Sequence, residues 1–84
     1  MTKYDFTLIL EGPLELTEQM ADKLFEAGCD DGTPGLYEGV FSIDFHRQAV
    51  SFEAAIRSAI TDVKSAGYKV ERVEIDAESA MLTV

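Results

Sequence analysis

The sequence predicts an α+β fold, with a four-stranded antiparallel sheet carrying two helices on one face. Three observations carry this reading. Two segments place apolar residues at helical spacing, around residues 18–27 and 52–66. Strand-patterned segments flank them in the order βαββαβ. The 84 residues leave room for one domain around one core.

Residues 4–11 alternate as a strand, with Tyr4, Phe6, Leu8 and Leu10 on one face and Asp5, Thr7, Ile9 and Glu11 on the other. Gly12-Pro13 breaks that strand. Thr17 then suits a helix N-cap, because its hydroxyl can accept from a free backbone N–H of the first turn. Glu18 sits well at the positive end of the helix dipole. Met20, Ala21, Leu24 and Phe25 form the apolar stripe, and Gly28 marks the exit. Residues 29–35, Cys-Asp-Asp-Gly-Thr-Pro-Gly, read as a loop.

A short second strand is expected at Leu36-Tyr37, with Glu38-Gly39 as a tight turn into the third. In that third strand Phe41, Ile43 and Phe45 share one face, and Val40, Ser42, Asp44 and His46 share the other. Ser51 caps the second helix, whose stripe is Phe52, Ala55, Ile56, Ala59, Ile60 and Val63. Glu53, Arg57, Asp62 and Lys64 fall on the opposite face, and Gly67 ends the helix. In the last strand, 68–76, the alternation slips. Tyr68 and Val70 share one parity and Val73 and Ile75 the other, so a bulge near Glu71-Arg72 is expected. The charges there suit an edge.

Two interlocked right-handed β-α-β crossovers in this order give the ferredoxin-like sandwich. Its strand order, 4-1-3-2, would put the two most apolar strands, 4–11 and 40–46, in the centre. Residues 1–76 are assigned to this domain and 77–84 to a C-terminal tail carrying Ala80, Met81, Leu82 and Val84.

Sixteen acidic residues face seven basic ones, a formal charge of -9. Phosphate-backbone binding draws its affinity from Lys and Arg displacing counterions, so no direct nucleic-acid binding is expected. Anionic membrane surfaces are disfavoured for the same reason. The longest strongly apolar run is Leu8-Ile9-Leu10, far short of a membrane span, and the first residues lack a signal-peptide pattern, so a cytoplasmic location is expected. Cys29 is the single cysteine and forms no internal disulfide. With Asp30 and Asp31 beside it, it is read as a small buried residue with a sluggish thiol.

Candidate chemistry is sparse. His46 and Asp44 share a strand face, and Asp5 or Glu11 across the sheet would complete an acid–base or metal site. A surface histidine at a strand end is the plainer reading. Asp30-Asp31-Gly32 lacks the alternating ligands of a calcium loop. Accordingly no catalytic residue, cofactor or metal is assigned. The open face of the sheet is the candidate interface, through Asp5, Thr7, Ile9, Val40, Ser42 and Asp44.

Several runs resemble a family of small bacterial proteins. They are Tyr4-Asp5-Phe6-Thr7-Leu8, residues 21–31, Val40-Phe41-Ser42-Ile43-Asp44-Phe45-His46-Arg47, and the helix 54–63. In that family a ferredoxin-like domain precedes a helix-turn-helix module of DNA-binding regulators. This sequence stops at Met81-Leu82-Thr83-Val84, about where that module would begin. The resemblance therefore implies a companion or oligomerising role, with no DNA-reading residues. The order strand, Gly12-Pro13, helix also resembles ACT-type amino-acid sensors, which bind small ligands near the first strand–helix turn. That resemblance implies Glu11, Gly12 and Pro13 as candidate ligand residues. The leading expectation is a non-enzymatic protein-interaction domain, a homodimer in a regulatory system. The alternative is an ACT-like small-ligand sensor.

Overall fold

The structure is a computed structural model and describes residues 2–12 and 15–75. The elements run β1 (Thr2–Leu10), α1 (Glu18–Glu26), β2 (Gly32–Tyr37), β3 (Val40–Ala49), α2 (Phe52–Ser65) and β4 (Val70–Glu74). All strand pairings are antiparallel, and the sheet order is β2-β3-β1-β4, or β4-β1-β3-β2 from the other edge. The expected tail, 77–84, lies outside the described residues, as does Pro13.

The two central strands supply the floor of the core. Phe6, Leu8 and Leu10 of β1 meet Phe41, Ile43 and Phe45 of β3, all nearly inaccessible to water. Met20 and Leu24 of α1, and Ala55, Ala59 and Val63 of α2, join the same cluster. Both helices therefore cover one face of the sheet. Three consecutive small or β-branched contacts let α2 lie close over the strands.

Both helices start and stop as their sequences dictate. Thr17 accepts from the Met20 N–H at 3.1 Å, and Ser51 accepts from the Ala54 N–H at 3.1 Å. At the exit of α1, Gly28 N–H donates to Phe25 C=O at 3.2 Å and Cys29 N–H to Leu24 C=O at 2.9 Å. Gly67 and Tyr68 repeat that pair of bonds on Lys64 and Val63. Each is a Schellman stop, which needs a left-handed residue after the cap; Gly28 has φ 111° and Gly67 has φ 97°.

Three expectations are corrected. Residues 32–35 are strand, not loop, because an edge strand can hold Gly and Pro without breaking a ladder. A Cβ on Gly32 would stand 2.7 Å from the Ile43 side chain, so glycine lets this strand pass close over β3. Phe25 leaves the apolar stripe and is 65% exposed, since Met20 and Leu24 already fill the face of α1 turned to the core. The third strand runs on past His46 to Ala49.

The bulge in β4 falls where the alternation slips. Ile9 pairs with Arg72 and Leu10 with Val70, leaving Glu71 as the extra residue. That shift lets Val70 and Val73 both pack against the core. Deleting Glu71 should turn one of these valines off the core and lower stability by about 1–2 kcal/mol, a fraction of full side-chain burial. Glu71→Ala should be nearly neutral by the same urea titration.

Candidate functional site

Among the described residues, the densest side-chain hydrogen bonding lies where β3 runs past the core. Arg47 continues the buried parity of Phe41, Ile43 and Phe45, and it is 9% exposed. Its guanidinium sits 5.1 Å from the Phe45 ring centre, and Phe45 stacks on Phe6. A buried arginine needs every donor met. Nε donates to Asp31 Oδ2 at 2.7 Å and Nη2 to Asp31 Oδ1 at 2.8 Å, a two-pronged grip on one carboxylate. Nη1 donates to Asp62 Oδ2 at 2.9 Å and to Ser58 Oγ at 3.0 Å. Nη2 also donates to Gly28 C=O at 2.8 Å. Together these bonds use all five guanidinium protons.

Local structure delivers each partner. The Schellman stop at Gly28 aims that residue's carbonyl at Arg47 and throws the chain towards Asp31. Ser58 and Asp62 stand one turn apart on α2, beside the stripe that faces the sheet. Asp62 therefore does not join Glu53, Arg57 and Lys64 on the solvent side, because Arg47 draws it inward. A Cβ on Gly28 would stand 2.8 Å from an Asp62 oxygen.

The charges tune one another. Burial pushes the Asp31 carboxyl upward, but the hydrogen bonds and charge of Arg47 outweigh it and hold Asp31 below its ordinary range. Arg47 is raised, above all by its hydrogen bonds to Asp31. Cys29, buried beside them, has its thiol pushed up to about 11 by burial first and by the Asp62 charge second. A shallow cleft of about 510 Å³ opens against this cluster, with Lys3, Asp30, His46 and Gln48 on its rim. With no guanidinium proton free, Arg47 offers an incoming anion nothing without breaking a bond it already makes. The cluster is a clamp joining β3, α2 and the turn after α1.

The sheet face away from the helices gathers the candidate interface. Asp5 lies opposite His46, Thr7 opposite Asp44, and Ile9 opposite Ser42, with Val40 at the hairpin end beside Tyr37. Ile9 and Ser42 are buried, at 4% and 8% exposure, while Val40 and Tyr37 are open. His46 Nδ1 sits 2.7 Å from Asp5 Oδ1, and Thr7 Oγ1 donates to Asp44 Oδ1 at 2.7 Å. The expected meeting of His46 with Asp44 is thus not formed. Residues two apart on one strand are about 6.6 Å apart, whereas directly opposed cross-strand Cβ atoms are about 5 Å apart. Glu11 lies on the order of 20 Å along the chain from Asp5, outside any site at His46. Among the described residues no group of three or more His, Cys, Asp or Glu is placed to hold a metal ion. Glu11 and Gly12 are exposed; Gly12 has φ 88°, and among the described residues a Cβ built on it would meet no atom within 4 Å. The Glu11 N–H is taken by Lys69 C=O at 2.9 Å.

Among the described residues no helix is long and apolar enough to cross a membrane. No protein-family model, no curated protein and no solved structure matches the chain.

Arg47 was absent from the sequence-derived candidates, though its odd parity after Phe45 was the available signal. Arg47→Met should lower stability by about 3 kcal/mol in urea, since it leaves two carboxylates without their cation. Because Asp31 is held low when folded, its contribution is present above the unfolded carboxyl value and is lost as pH falls through about 4 and below. Asp31→Asn should flatten that part of the acid limb. Cys29 should react with iodoacetamide at pH 8 far more slowly in the folded chain than in urea, because its thiolate is suppressed and its sulfur covered.

Proposed function

We propose that this chain is a non-enzymatic protein-interaction domain of ferredoxin-like form that self-associates. The element order, the antiparallel sheet and the order β4-β1-β3-β2 support that form. One observation carries the interaction reading. The sheet face bearing Asp5, Thr7, Val40 and Asp44 has neither described helix packed on it, and the edge strand β4 pairs with β1 alone among the described residues, whereas Ile9 and Ser42 of that face are already buried within the chain. A domain of this size gains from any surface it can bury by association. The non-enzymatic reading is supported by the closed hydrogen bonding of Arg47 and by the open setting of His46. The His46 and Asp5 side chains are each more than half exposed. A place in a bacterial regulatory system rests on the residue resemblance alone.

A second reading has the exposed, left-handed turn at Gly12 as its support. In that reading Glu11, Gly12 and Pro13 bind a small ligand, as in ACT-type sensors. An amino acid that raises the melting temperature, with the effect lost in Gly12→Val, would establish it.

Light scattering after gel filtration, over a concentration series, tests the first reading. The expected result is a mass of twice the chain that dissociates on dilution. A single-chain mass at the highest concentration removes self-association.

A further inference from the structure

The two edges of the sheet differ in what they offer another strand. His46 N–H donates to Asp31 C=O at 3.1 Å, so His46, Asp44, Ser42 and Val40 turn their backbone groups to β2. Their partners turn inward, which leaves Gly32, Pro34 and Leu36 facing outward. Gly32 N–H already donates to Cys29 C=O at 3.0 Å, and Pro34 has no N–H. Leu36 is then the one outward N–H donor of β2 among the described residues, so that edge is poorly suited to adding a strand.

The opposite edge is built otherwise. Phe41, Ile43 and Phe45 turn to β1, so Phe6 and Leu8 answer them and Thr7 and Ile9 turn to β4. Their partners are Glu74 and Arg72. Val73, between them, points its N–H and C=O away from β1. Among the described residues β4 has one neighbour, β1.

We infer that β4 is the contact, and that its occupant is the β4 of a second copy, antiparallel about a two-fold axis through Val73. The inference rests on the self-association proposed above and selects this edge over the open face. In that register the two Val73 residues exchange both backbone hydrogen bonds, as their outward amides require. Arg72 then lies opposite Glu74 of the second copy, twice, on the open face. These are the non-hydrogen-bonded pairs, where Cα atoms come to about 4.5 Å and side chains meet most closely. Glu71 lies opposite Ile75, which is exposed. Within one chain Arg72 already holds Glu74 and Glu71 at 3.2 Å, in pairs half open to water, so exchange between copies costs little. Two sheets joined this way make one of eight strands. Face-on packing about a two-fold along the strands would instead lay the row Asp44, Thr7, Glu74 against itself and oppose carboxylates.

Charge-swap variants test this with the full chain. Arg72→Glu and Glu74→Arg each oppose like charges twice across the two-fold. Each should weaken the dimer at least tenfold by sedimentation equilibrium. The second does so although it lowers the net negative charge, which general repulsion alone would reward. The double variant R72E/E74R restores opposed pairs at the original net charge and should recover the dimer to within a few-fold. Val73→Pro removes the central donor and should leave a monomer, with far-UV circular dichroism confirming that the fold is kept. A wild-type dimer indifferent to all four variants, and broken instead by Val40→Asp, overturns the edge contact and leaves self-association standing. A wild-type monomer overturns both.

Discussion

Arg47 is the constraint on which the rest of the arrangement depends. A guanidinium at the rim of an apolar core is tolerable when each proton has an acceptor. Here the acceptors come from three places in the chain: the turn after α1, the middle of α2, and the first residues leading into β2. Meeting that demand fixes where α1 must stop, how closely α2 must approach, and where β2 must enter the sheet. Gly28 answers it twice. Its backbone conformation frees its carbonyl for Arg47, and its missing Cβ leaves room for Asp62.

Much of this architecture was legible in the sequence because local chemistry and distant packing agree. Thr17 and Ser51 announce helix starts, and Gly28 and Gly67 announce helix ends. The broken alternation between Val70 and Val73 announces a bulge. The failures came where one residue served two purposes. Asp62 reads as part of a solvent face because its neighbours do, and its partner is fifteen residues away on β3. Arg47 sits in a polar run, His46-Arg47-Gln48, that looks like a strand ending. Gly32 to Gly35 has the composition of a loop, and only its place at a sheet edge makes that composition workable. The pairing of His46 with Asp5 follows from register, which alternation within one strand does not specify.

The open face and the two edges show how a small sheet separates its duties. The hairpin end of the face is apolar, through Tyr37 and Val40, and the middle carries Asp5, Asp44 and Glu74. One edge is made unreceptive by a proline and a backbone bond turned in on itself. The other carries alternating charges. Such asymmetry limits the number of ways in which copies can join, and with it the danger of open-ended stacking.

The order of the strands in space has a consequence for synthesis. β1 is made first, yet it lies between β3 and β4, which are made thirty and more residues later. Until they emerge, Phe6, Leu8 and Leu10 have no partner, and the hairpin of β2 and β3 is the one strand pairing available between neighbours in the chain. A nascent chain of this kind must therefore leave the apolar side chains of β1 uncovered until β3 has followed it.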